Sequence, residues 1–273
     1  FLNACKDEEK DPTPTNTGKE IVLTTKADGI ASFEGYDAAT KTLKLLAINS
    51  YKLDGKVYVN DGQSLTIEPG TVIKATERGN SDATVLVIAR GGKINAIGTV
   101  DKPIIFTSEA DDLSKTTDLP LISNALWGGI AICGNAPTGG KNNNQELLEG
   151  LDENDTRSFF GGTASGDNSG TLKYVSIRYT GAEIAQGNEI QGLTLGGVGN
   201  GTTVDYVEVF GSSDDGIEIF GGTVDIKHFA VWGAEDDDFD LDLGWRGQGQ
   251  FWFSLKRADK GDHQGEWDGA IPD

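Results

Sequence analysis

Two acidic runs stand 22 residues apart: "GSSDDGIEIFGG" from Gly211 to Gly222 and "GAEDDDFDLDLG" from Gly233 to Gly244. The same offset takes Ile217 to Phe239, Glu218 to Asp240 and Ile219 to Leu241. With the apolar members of these strands pointing inward, alternation turns Glu218, Asp240 and Asp242 outward, and Asp214, Asp215 and Asp236 to Asp238 fall on the preceding turn. Unit charges stacked about 5 Å apart repel by nearly 1 kcal/mol in water and by more where water is excluded. Three chemistries answer that repulsion. One is a solvated acidic ladder eased by Lys227, Arg246, Lys256 or Arg257. A second is Ca²⁺, a hard ion that takes about six to eight oxygens from carboxylates and turn carbonyls. Its candidate ligands are Asp214, Asp215, Asp236, Asp237, Asp238 and Asp240, although their spacing is not that of an EF-hand loop. The third is catalysis in the Asp214–Asp242 region, since paired carboxylates act as acid and base in glycoside hydrolysis.

Alternation also selects an aromatic face. With Val207, Val209, Phe229, Val231, Phe251 and Phe253 inward, the outward set is Tyr206, Phe210, His228, Trp232 and Trp252. Such a face could stack against sugar rings or meet a protein partner. Alternatively, the long loops fold back over it and make it a satellite core.

The elements that position these residues repeat. The offset of 22 recurs in the second half, and a looser copy is "LKYVSIRYTG" followed by "QGLTLGG". In the first half an offset of 21 aligns Leu65 with Leu86, Ile67 with Ile88 and Ile73 with Ile94. Each copy holds short strands broken by Gly and no amphipathic helix, so helical and leucine-rich repeats are disfavoured. A propeller blade needs roughly 40 residues, and antiparallel hairpins would favour Asn-Gly-type turns. The expectation is an all-β chain, a right-handed parallel β-helix solenoid over 21–273, with like residues stacked at about 4.8 Å. Long polar insertions, "SEADDLSKTTDLPLISNAL" and "GKNNNQELLEGLDENDTRSFFGGTASGDNSG", should leave it as loops. The chain ends at "GEWDGAIPD" without a polar cap, so a continuation or a partner is expected to cover that strand edge.

Composition agrees: 38 Gly in 273 residues suits many tight turns, and the net charge of −20 argues against nucleic acid or an anionic membrane surface as partner. No apolar run is long enough to span a membrane. Two His and two Cys in separate contexts argue against a zinc site. The Gly-rich pieces lack the strand–loop–helix setting of a phosphate loop. Cys133, in "WGGIAICG", reads as a small buried hydrophobe.

Residues 1–20 read as a tether. Leu2-Asn3-Ala4-Cys5 resembles a bacterial lipobox, which implies lipidation of Cys5 and anchoring to a membrane through acyl chains alone. The acidic stretch Lys6–Asp11 resembles the surface-export signal of Bacteroidota lipoproteins, and "DPTPTNTGK" continues as a linker. From Lys56 to Trp267, "VYVNDGQSLTIEPGTVIKA", "WGGIAICGNAPTG" and "TTVDYVEVFGSSDDGIEIFGGTVDIKH" resemble a largely uncharacterised family of right-handed parallel β-helix surface lipoproteins of Bacteroidota. The resemblance implies a fold and an outer-membrane, cell-surface location, and no reaction. The Asp clusters are also superficially similar to those of polygalacturonase-type hydrolases, but "GWRGQGQ" stands where that family has Gly-His-Gly. The leading expectation is a non-catalytic binding or scaffold module for a glycan, a matrix component or an outer-membrane protein. The alternative is a glycoside hydrolase or polysaccharide lyase.

Overall fold

The computed structural model describes residues 18–270 apart from 116, 117, 121, 142–144, 186 and 187, so Cys5 and the tether up to residue 17 lie outside the described residues, while Glu20, read as the end of the tether, already opens the strand Glu20–Thr24. Two large sheets, of twelve and seven strands, carry the fold, and all pairings within them are parallel except Tyr36–Asp37 against Thr42–Leu45. Helix is limited, among the described residues, to three short 3-10 turns.

The seven-stranded sheet keeps sequence order: Lys56–Val59, Val85–Ile88, Gly129–Cys133, Leu193–Gly196, Ile217–Phe220, Phe239–Asp242 and Glu266–Trp267. Between consecutive members the chain visits the twelve-stranded sheet and returns. Each pass therefore lays an identical-facing residue beside the last. Ile130, Leu193, Ile217 and Phe239 form one inward row, and Ile132, Leu195, Ile219 and Leu241 another. These rows join one continuous apolar core with Val175, Val207 and Phe229 from the facing sheet.

In the larger sheet two columns of short strands merge into one. Lys93–Ile97 pairs with the first half of Gly170–Thr180, and Ile104–Ser108 pairs with its second half. The seam is a residue with positive φ: Tyr174 at 51°, Tyr206 at 53°, His228 at 46° and Phe251 at 61°. A left-handed backbone costs an L-residue on the order of 1 kcal/mol. Here it bends the strand around the core, so that Val204 and Val207 both face inward although three positions apart.

Two expectations of register are corrected. The offset of 21 in the first half aligns strands that are not neighbours: Leu65 lies between Leu43 and Ile94, Leu86 between Val57 and Ile130 in the other sheet, and Ile73 between Tyr51 and Phe106. A two-residue alternation looks alike in every strand and does not specify its neighbour. In the last copy the offset is 23, because the turn after Phe239–Asp242 is one residue longer than the turn after Ile217–Phe220. Trp252 thus follows Phe229 inward, while Phe251 and Phe253 are 62% and 59% exposed.

The insertions also behave differently from solvated loops. Leu148, Leu151 and Phe160 of the second insertion, with Ile184 and Ile190 from the segment after Gly170–Thr180, cover the outer face of the seven-stranded sheet over Val85, Val87 and Ala131. Cys133 is sealed there as expected, and burial pushes its thiol up to about 12.

Candidate functional site

The covered outer face changes character along the sheet. One outward row runs Val87, Ala131, Thr194, Glu218, Asp240, Glu266, each beside the next. It begins apolar and ends acidic, and Glu218 is only 6% exposed. Oxygens of Asp215, Glu218 and Asp240 lie within 4.8 Å of one another, and so do oxygens of Asp214, Asp215 and Asp236.

Backbone and amide donors meet part of this charge. Asp215 Oδ1 accepts the Asp237 N–H at 2.9 Å, and Asp237 Oδ1 accepts the His263 N–H at 2.6 Å, so each turn carboxylate braces the next turn. Buried Gln191 donates to Asp214 Oδ2 at 3.1 Å and accepts the Thr194 hydroxyl at 2.6 Å. Gln191→Leu should therefore cost about 2 kcal/mol by orphaning the Thr194 hydroxyl, seen as a lower urea midpoint with an unchanged slope.

The bases expected to ease the ladder do so at its margin. Lys256 sits 3.6 Å from Asp238, which also accepts the Ser254 hydroxyl. Arg257 is tied to Glu235 and Asp259 at 2.5 and 2.7 Å, and Arg246 reaches only the Pro137 carbonyl. Burial pushes Asp215 up to about 9, with Asp214 adding to it. Burial and then the charges of Asp215, Asp240, Glu149 and Asp214 hold Glu218 well above the usual carboxylate range. Asp240 is raised to about 7 by burial, then by Asp242 and Glu266.

The six expected metal ligands thus divide. Asp214, Asp215, Asp236 and Asp240 converge, Asp237 faces His263 and Glu266, and Asp238 is committed to Ser254 and Lys256. The residue that sequence reasoning missed is Glu218, seen as outward but not enlisted. Its signal was the alignment with Asp240; its burial had none.

The aromatic face is a stack. Tyr174, Tyr206, His228 and Phe251 lie ring on ring with centroids 4.6, 4.2 and 4.8 Å apart, and Phe210 stacks on Trp232 at 4.4 Å. Trp252 is corrected out of this set: it packs against the core, stacks on Phe239 at 4.8 Å and donates to the Ile226 carbonyl. Tyr174 and Phe251 take their places in the ladder instead. Tyr206 and His228 are sandwiched, so they present ring edges outward, whereas Phe251 ends the stack. Asp205 bonds Lys173 and His228, each at 2.9 Å; these bonds outweigh burial and keep its carboxyl below the usual value.

Two shallow clefts, of about 480 and 450 Å³, lie away from both features, one by Leu23, Leu43 and Tyr51, the other by Tyr58, Arg78 and Arg157.

Parallel sheets, stacked inward rows and sequence-ordered strands define a β-helix domain. The chain matches the family model described as a pectate-lyase-like β-helix domain over residues 37–270, and it belongs to that family. No curated protein and no solved structure matches it. The family includes both polysaccharide-active enzymes and binding proteins, so membership leaves the activity to the site.

Proposed function

We propose that this chain is a non-catalytic binding or scaffold module, a right-handed β-helix solenoid held at the outer face of an outer membrane by lipid on Cys5. The handedness follows the rule for parallel crossovers. The location rests on the lipobox-like start and acidic tether. The observation that carries the binding reading is the aromatic ladder ending at Phe251, a regular stripe on an open sheet face. Its partner class is a glycan or an extracellular or outer-membrane protein, with the edges of Tyr206 and His228 and the free face of Phe251 as contacts. Phe210 and Trp232 form a second, half-buried pair beside it.

The second reading is a carbohydrate-active enzyme working at Asp240 and Asp242, favoured by an Asp240 carboxyl raised to about 7. Against it, Glu218 and Asp215 are too buried for a sugar to reach, and the basic residues a lyase could draw on, Lys256 and Arg257, are engaged by Asp238 and by Glu235 and Asp259.

Affinity electrophoresis against neutral and uronic-acid polysaccharides, run beside a reducing-end assay, tests both. Retardation without release of reducing ends, lost in Tyr206→Ser/Phe251→Ser, is expected. Release of reducing ends that disappears in Asp240→Asn would replace the binding reading with the enzymatic one. No retardation by any polysaccharide would remove the glycan and leave a protein partner.

A further inference from the structure

We propose that His228 is the specificity-determining residue of the aromatic ladder, fixed by Asp205 so that its Nε2 lone pair receives a hydroxyl of an uncharged glycan. The inference rests on the binding reading above and names the ligand class which that reading leaves open.

Most of the His228 ring is already committed. Its faces are covered by Tyr206 and Phe251, with centroids 4.2 and 4.8 Å away and planes 6° and 15° from parallel. Its Nδ1 lies 2.9 Å from Asp205 Oδ1, and the other Asp205 oxygen holds Lys173 at 2.9 Å. With its carboxyl kept below the usual value, Asp205 stays ionised. An ionised carboxylate only accepts, so Nδ1 carries the hydrogen of this bond. The second nitrogen of the neutral ring is then a lone pair. Nε2 sits at the far end of the ring from the backbone, on a side chain 34% exposed, and bonds nothing among the described residues. The ladder thus holds one acceptor of fixed direction between aromatic rings. Asp205 is its positioning residue, reaching His228 from the neighbouring pass.

The spacing favours a sugar over a peptide. Tyr174 and Tyr206 hold equivalent positions on successive passes, with rings 14° from parallel. Their hydroxyls and Nε2 therefore line one edge at intervals close to the 4.6 and 4.2 Å between ring centroids. A peptide strand offers N–H donors to one side only about every 6.8 Å, two residues apart. Hydroxyls on one sugar ring lie closer together, and the exposed face of Phe251 at the end of the stack suits a sugar's C–H face. Charge selects further, because a lone pair repels a carboxylate, and so does a chain of net charge −20. The charged groups around His228 are Asp205 and Lys173 on the two preceding passes and Lys227 on its own strand; Gln250 and Phe251 on the following pass carry none. Protonation of the ring turns Nε2 from acceptor into donor and adds a positive charge at this edge.

The test has two arms. The first needs no ligand: nitrogen NMR of histidine-labelled protein at pH 8 reads the tautomers. The chain has only two histidines, so His263 is an internal reference. His228 should carry its proton on Nδ1, and Asp205→Ala should move it toward the Nε2–H form while His263 is unchanged. A wild-type His228 found as Nε2–H overturns the proposal. The second arm is affinity electrophoresis in hydroxyethylcellulose and in polygalacturonate, at pH 8 and 5.5, each against a polymer-free gel of the same ionic strength. Hydroxyethylcellulose should retard the protein at pH 8, and His228→Phe, which keeps a ring in the stack, should weaken that about fivefold, the worth of one hydrogen bond. Acidification should shift the preference toward polygalacturonate in the wild type and not in His228→Phe. Retardation that His228→Phe leaves unchanged, or a preference for polygalacturonate at pH 8, keeps the binding reading and overturns this one. No retardation by either polymer at either pH removes the glycan and this proposal with it.

Discussion

In chelator, the melting temperature should fall as pH rises from about 5 to 9, by about 5 °C or more. Asp215 is held up at about 9 and Asp240 at about 7, with Glu218 well above its usual value, all first by burial. In the unfolded chain the same groups titrate near about 4. Between those limits the folded form binds more protons than the unfolded form. The stabilisation is therefore complete below about pH 4 and drains away as pH climbs through about 7 and then 9. Melting scans at pH 5.5, 7 and 8.5 in EGTA, at constant ionic strength, measure it. Asp215→Asn should flatten the profile. A flat or rising profile in the wild type would mean that the cluster sheds its protons without cost, and that the ladder is solvated after all.

The second large effect tests the register. Phe229→Ala should cost about 3–5 kcal/mol, lowering the melting temperature by roughly 6 to 20 °C. Phe229 is 1% exposed, packs edge-on to Phe239 with centroids 6.2 Å apart, and sits between Val207 and Trp252 in one inward row. Collapse around so large a void is incomplete, which is why the loss exceeds the transfer free energy of the ring. Trp252→Ala and Phe251→Ala extend the comparison to the next pass. Trp252→Ala should be clearly destabilising, whereas Phe251→Ala should cost about 1 kcal/mol, the scale of one ring stack. The reverse ranking would mean that the strand keeps an offset of 22.

The β-helix was legible wherever a residue type repeats at a near-constant interval. Val207, Phe229, Ile217 and Phe239 announced inward rows because alternation and period agreed. Leu65 and Leu86 misled because alternation alone says which way a side chain faces and nothing about which strand lies beside it. The acidic cluster was legible as charge at a shared offset, but Glu218 was undervalued. Leu148, Ile184 and Ile190, which cover the outer face of the same sheet, lie in polar-looking segments whose few apolar members gave no period to read. The covering of an outer face by a distant loop is a tertiary fact with no local signature. The stack of Tyr174 on Tyr206 was hidden for a related reason: 32 residues separate them, because an insertion lengthens that pass.

The longer turn before Gly249–Leu255 has a consequence for how such a chain diversifies. The one extra residue in this turn, relative to the turn of the preceding pass, places Phe251 at the surface and Trp252 against the core. Length changes at corners are thus a mutational route that point substitution lacks, since a single insertion recasts every contact that a whole strand presents to the outside. Lineages of this architecture can acquire new surface chemistry from residues first selected as filling, and can retire old surfaces into the interior, with the backbone path almost unmoved.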